Sequence, residues 1–176
     1  MFDISLKFEK DLVTRHLHDT KCFDDENDDI NSIFFEICEI FQGLESIEFC
    51  LSGFSKKWRL DLDFDLLDFL VGLDQVIDSL VMKDDFDILL AESGWRLGLV
   101  FNRNENIYEI ELSDLARSNF CKIVEIVTYK ELCAMIYRFR KLFLELSIVV
   151  CPNYYHHRWF VRWRGETSKV GKFLDI

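Results

Sequence analysis

Residues 58–86 read WRLDLDFDLLDFLVGLDQVIDSLVMKDDF, and the change of period inside this stretch decides the fold class. Its first part alternates strictly. Leu60, Leu62 and Phe64 fall on one side and Asp61, Asp63 and Asp65 on the other, the pattern of a half-buried strand with three carboxylates on its open face. From Leu66 the apolar residues recur at helical spacing, as Leu66, Leu70, Leu73, Ile77 and Leu80. Asp65 stands where an N-cap carboxylate accepts from the first free N–H groups of that helix. A strand that runs into a long helix, each with one apolar side, predicts an α+β core. The stretch is also dense in charge of one sign: Asp61, Asp63, Asp65, Asp68, Asp74, Asp78, Asp84 and Asp85 face only Arg59 and Lys83.

On the N-terminal side, residues 2–8 alternate as a strand, residues 16–29 form a polar loop carrying DDENDD (24–29), and Ile30, Ile33, Phe34, Ile37, Phe41 and Leu44 mark a helix. Residues 46–51 and 58–65 read as strands joined by a turn over 53–57. On the C-terminal side, runs at 86–91, 95–101 and 107–112, separated by Glu92-Ser93-Gly94 and an Asn-rich turn over 102–106, predict an antiparallel meander. A further strand is expected over 120–127. Thr128 and Glu131 form a capping box with Val127 and Leu132 as its staple, and the helix it opens runs to about Ser147. Pro152 ends that region. The tail NYYHHRWFVRWR (153–164) is aromatic and basic, a mixture that suits stacking on single-stranded nucleic acid or a protein contact; Trp159, Val161 and Trp163 alternate with Phe160, Arg162 and Arg164, as in a final strand that closes the core, the reading preferred here. The expected architecture is one α+β domain over 1–176, an antiparallel sheet (a mixed one being the alternative) with about three helices mainly on one face.

The 176 residues include 17 phenylalanines and are 49% hydrophobic, enough for a substantial core and too apolar for a disordered chain. The net charge is −11, unevenly spread: residues 1–116 hold 27 acidic and 10 basic side chains, residues 117–176 hold 5 and 11. An acidic body repels nucleic acid and anionic lipid and attracts basic partners. No apolar signal core begins the chain and no apolar run is of membrane-spanning length. Cys22, Cys38, Cys50, Cys121, Cys133 and Cys151 contain no C-x-x-C pair, so reduced thiols, several of them small core residues, in a cytoplasmic protein are expected.

Catalytic motifs are missing from the sequence. There is no G-x-S-x-G, no H-E-x-x-H and no Gly-rich phosphate loop, and His16, His18, His156 and His157 lack metal-ligand spacing. The Asp61–Asp63–Asp65 row lacks the Gly and distal Glu of a calcium loop. It reads either as a solvated face or as a protein-contact face, and the acidic loop 24–29 has the same two readings. No cofactor or metal is called for.

The acidic runs DDENDD (24–29) and LDLDFDLLDF (60–69), together with the meander FDILLAESGWRLGLVFNRNENIYEIEL (86–112) in a single α+β domain, resemble in kind the immunity proteins of bacterial toxin systems, including those of contact-dependent growth inhibition. That resemblance implies a small cytoplasmic protein that binds and neutralises a cognate toxin domain, often a nuclease, without contacting nucleic acid or membrane itself. The carboxylates expected to meet a basic toxin are Asp61, Asp63 and Asp65 first, then Asp24, Asp25, Asp28 and Asp29. The alternatives are a hydrolase with dispersed carboxylates and a histidine, marked by His156 or His157 beside a carboxylate of raised pKa, and a subunit of a larger complex.

Overall fold

The computed structural model of the chain describes residues 1–8, 21–90, 97–114 and 123–169. The elements in order are β1 (Asp3–Phe8), α1 (Ile30–Gln42), β2 (Ile47–Gly53), β3 (Lys56–Leu60), α2 (Asp65–Met82), β4 (Phe86–Leu90), β5 (Leu97–Asn104), β6 (Ile107–Asp114), β7 (Val124–Thr128), α3 (Tyr129–Val150), α4 (Pro152–Tyr155) and α5 (Arg158–Glu166). The fold is α+β, as expected, and the strands divide into two antiparallel sheets, β1-β2-β3 and β4-β5-β6-β7. His16, His18, Cys121, the turn at 92–94 and residues 120–122 lie outside the described residues.

One continuous cluster of buried apolar side chains joins both sheets to the helices. At its centre Phe49 of β2 lies against Phe69 of α2 and Phe139 of α3, with ring centroids 5.9 and 5.8 Å away, and Phe69 meets Phe139 edge-on at 4.7 Å. Phe2 carries the cluster from the first sheet to Phe101 in the second at 5.8 Å. Each such ring contributes about 1.5–3 kcal/mol by burial, and edge-to-face pairs add about 0.5–1.5 kcal/mol. The sheets are also tied by a polar contact: Phe54 N–H, in the β2–β3 turn, donates to Glu125 Oε1 on β7 at 2.7 Å. That turn is two residues, Phe54 (φ 51°) and Ser55 (φ 60°), both left-handed. An L-residue there costs about 1–2 kcal/mol. The buried Phe54 ring, edge-on to Phe2 and Trp58, and the Glu125 bond hold it in place.

Two expectations are corrected. The strand over 58–65 stops at Leu60, and residues 62–64 turn into α2. Asp61, Asp63 and Asp65 therefore do not share an open strand face. The tail is not a final strand: Pro152 ends α3 but occupies the first turn of α4, where its missing N–H is no loss, and His157 Nδ1 caps α5 by accepting from Trp159 N–H at 3.4 Å. Phe160, Trp163 and Thr167, at helical spacing, are the buried face of α5 and its end. Trp163 lies 4.9 Å edge-on to Phe34 of α1 and 5.9 Å from Phe143 of α3. Buried Arg140 of α3 latches the far end, donating from Nε to Thr167 Oγ1 at 2.8 Å and from Nη2 to Arg164 O at 2.5 Å. A guanidinium at a helix C-terminus meets the negative end of its dipole.

Candidate functional site

The α1 and α2 helices pack side by side and leave a groove of about 410 Å³ between their outer faces, lined by Asp28, Phe35, Glu36, Leu67, Asp68 and Val71 among others. A second hollow of about 350 Å³, between α2 and β4, shares Asp68 and Val71 with the first and continues over Gly72, Gln75, Asp87 and Leu89. Phe35, Phe64, Val71 and Leu89 are each a little under half exposed. Phe64 precedes Leu67, Asp68 and Val71 at helical spacing and so extends the same face of α2. The floor of the second hollow is Gly72, in the middle of α2, where a Cβ would meet nothing within 4 Å. A mid-helix glycine costs about 0.5–1 kcal/mol relative to alanine, and no close approach requires it here.

Carboxylates surround this apolar surface: Asp28, Glu36, Asp68 and Asp87 line the two hollows, and Glu39 lies one turn beyond Phe35 on α1. The cation lining them among the described residues is Lys21, bound to Glu36 at 2.7 Å. Asp63, close enough to Glu39 and Asp61 to feel their charge, has its pKa raised, first by burial and then by Asp61 and Glu39. One of its carboxylate oxygens is buried without a hydrogen bond.

Most of the sequence-predicted site residues serve local structure. Asp61 Oδ1 accepts from the N–H groups of Asp63 and Phe64 at 2.8 and 2.9 Å, in the turn before α2; the N-cap of α2 is Phe64 and carries no side-chain cap bond, so the cap expected of Asp65 is not formed. Asp65 is fully buried and Oδ2 accepts from Asp61 N–H at 2.9 Å, so its carboxylate is not offered to a partner. In the loop, Asp24 accepts from Glu26 N–H and Asn27 Nδ2, Asp28 from Asp24 N–H and the Ser32 hydroxyl, and Asp29 caps α1 through Asn31 N–H at 2.8 Å. These bonds hold Asp24 and Asp28 below the usual carboxylate range. Asp25 is ion-paired with Arg158 of α5. Of the predicted residues, Asp28 lines the groove, and Asp63 lies within charge reach of Glu39.

Sequence periodicity missed the apolar members. Phe35 follows Phe34 and lies about 100° round α1 from the core face, and Val71 stands in the same relation to Leu70 on α2. An apolar residue off the buried stripe is the signal that could have found them.

His157 is a cap packed against Phe23 and Trp159, and His156 is exposed next to Tyr155. The raised carboxylates, Asp63 and Asp74, owe their shifts to burial and to other acids. Cys38, Cys50, Cys133 and Cys151 are buried free thiols, and burial pushes Cys151 up to about 12. Among the described residues no group of three or more His, Cys, Asp or Glu could hold a metal, and no helix is long and apolar enough to cross a membrane. No family model, curated protein or solved structure matches the chain.

Proposed function

We propose that the chain is a binding protein of the immunity type, which neutralises a basic toxin domain by covering it with the α1–α2–β4 surface. The observation that supports this reading is the exposed apolar row Phe35, Phe64, Val71 and Leu89 set among Asp28, Asp68, Asp87 and Glu39, with the lysine of the groove already bound to Glu36. Buried aromatic and aliphatic anchors supply affinity at protein interfaces. Surrounding carboxylates steer a cationic partner and fix its orientation. Blockade is then steric and electrostatic: the carboxylates stand where a toxin cleft would take the phosphates of its substrate. Gly72 keeps the hollow beside Val71 open for a partner side chain.

The test is capture from the source cell followed by titration of the captured protein. The expected partner is stoichiometric, basic and toxic when expressed alone. Phe35→Ser combined with Val71→Ser should weaken the complex by about 10–100-fold, the range of an interface hot spot. Asp28→Asn should reduce its salt dependence. An unchanged affinity in the double variant would place the interface elsewhere. A partner that is neutral or acidic would overturn the reading.

A further inference from the structure

The contact between α2 and α5 holds two buried polar atoms that face each other without a bond. Trp163 Nε1, on a side chain only 3% exposed, has no hydrogen-bond partner among the described residues, and neither has Asp74 Oδ1. The indole N–H is nonetheless among the groups that act on the Asp74 carboxylate. Around them the contact is tight: the Trp163 ring lies edge-on to Phe34 of α1 at 4.9 Å and to Phe143 of α3 at 5.9 Å. Buried polar groups are almost always bonded, so an open donor beside an open acceptor calls for an explanation.

The charges around the pair supply one. Asp78 stands one turn beyond Asp74 on α2, Glu166 stands one turn beyond Trp163 on α5, and both carboxylates act on Asp74. The nearby cations are engaged: Lys169 with Asp78 at 3.3 Å and Arg162 with Glu166 at 3.0 Å. From α1 and α3 the neighbours of Trp163 are the uncharged rings of Phe34 and Phe143. Burial, Glu166 and Asp78 raise Asp74 above the ordinary carboxylate range and outweigh Lys169 and the indole N–H, which lower it. No group of three or more His, Cys, Asp or Glu among the described residues could hold a metal. The cation that fits this contact is a proton.

We infer that α5 is a latch whose grip is set by a proton on Asp74: held firmly over Phe34 and Phe143 when Asp74 is neutral, loosened when it is ionised. Arg140 is the constant part of the grip, since its guanidinium stays charged and bonds Thr167 Oγ1 and Arg164 O at any pH. Asp74 is the variable part. Ionised, it meets the charge of Glu166 across the contact, which opposes closing. Protonated, it meets no repulsion, and its hydroxyl becomes a donor that a carboxylate can accept. The closed latch therefore binds the proton more tightly than the open one. Closing strengthens as pH falls, until below the ordinary value of 3.8 Asp74 is protonated in both states. His157 caps the opposite end of α5 and takes no part in this contact. The latch does not rest on the toxin-binding reading.

Hydrogen exchange of the full chain from about pH 4 to pH 8, read by mass spectrometry and corrected for the intrinsic rate at each pH, tests it. The amides of α5 should exchange through an opening of their own, less protected than those of α3. Their protection should rise as pH falls, by up to about tenfold per pH unit, the limit for one proton. Asp74→Asn should keep α5 protected at every pH and erase the slope. Glu166→Gln should raise protection at the alkaline end and leave a shallower slope. Amides of α5 as protected as those of α3, or a protection that ignores pH, overturns the latch. A slope that survives Asp74→Asn overturns the assignment to Asp74. If Asp74→Asn does not fold, the wild-type profile and Glu166→Gln carry the test, and an unchanged slope in Glu166→Gln then overturns it.

Discussion

Asp65 and Asp61 bind each other's ends of one turn. The fully buried carboxylate of Asp65 accepts the Asp61 N–H at 2.9 Å, while the Asp61 carboxylate accepts the N–H groups of Asp63 and Phe64. The arrangement closes the turn that leads into α2: the two side chains satisfy the N–H groups of Asp61, Asp63 and Phe64, all ahead of the helix's own first turn. Two aspartates in an alternating acidic row thus act on the backbone rather than on a partner. Asp65→Ala leaves the half-buried Asp61 N–H without its acceptor and should cost about 1.5–3 kcal/mol, as for a hydrogen bond to a charged group. Asp65→Asn, which keeps an acceptor oxygen, should cost less. Urea unfolding of the two variants, at unchanged m, checks the order.

Arg140 fastens α5 through two contacts that a lysine cannot make together, because its donors radiate from one nitrogen. Arg140→Lys should lower stability by about 1–3 kcal/mol. Trp163, packed edge-on against Phe34, should respond with a red-shifted emission as α5 loosens. An unshifted spectrum at full stability would mean that α5 is held by its aromatics alone.

Asp74 is raised by burial first, then by Glu166 of α5 and Asp78 of α2, with Lys169 and Trp163 pulling it slightly down. A carboxylate raised in the folded state weakens folding at neutral pH, and that penalty fades as pH falls through its folded pKa. Below the ordinary value of 3.8 it has gone. Asp74→Asn should therefore be more stable than the wild type at pH 7, and the two should converge on acidification. Melting curves across pH 3–7 check the sign.

Gly72→Ala should raise stability by about 0.5–1 kcal/mol, because the methyl meets no atom within 4 Å and the helix loses its most flexible residue. The same methyl fills the hollow beside Val71. A variant that is more stable yet binds its partner more weakly would separate the surface's binding role from its contribution to folding.

Thr128→Ala breaks the capping box of α3, in which Thr128 Oγ1 accepts from Glu131 N–H at 3.2 Å and Glu131 Oε2 accepts from Thr128 N–H. A loss of about 1 kcal/mol is expected. Glu131 is held below its ordinary pKa of 4.5 by those bonds, so its contribution is present above that value and disappears as pH falls through the lower folded pKa. The sign is opposite to that of Asp74. Acid titration of Thr128→Ala against the wild type reads the difference directly.

The sequence alone determined the α+β class, the three long helices, the antiparallel meander and the capping box, because each rests on local period or on residues three or four apart. It also determined the acidic balance of the body. Tertiary structure decided the rest. Alternation over 58–65 and 159–164 is short enough to fit either period, and packing chose: the first run turns after Leu60, where Asp65 closes the turn before α2 on Asp61 N–H, and the second coils so that Phe160 and Trp163 reach Phe34 and Phe143. Asp24, Asp28, Asp29 and Asp61 bend back to partners within four residues, local turns that the acidic runs themselves permit, whereas Asp25 meets an arginine more than a hundred residues away, which only the fold decides. A charge in a sequence fixes the field of the whole molecule. Only the fold decides which hydrogen-bond donors that charge spends itself on.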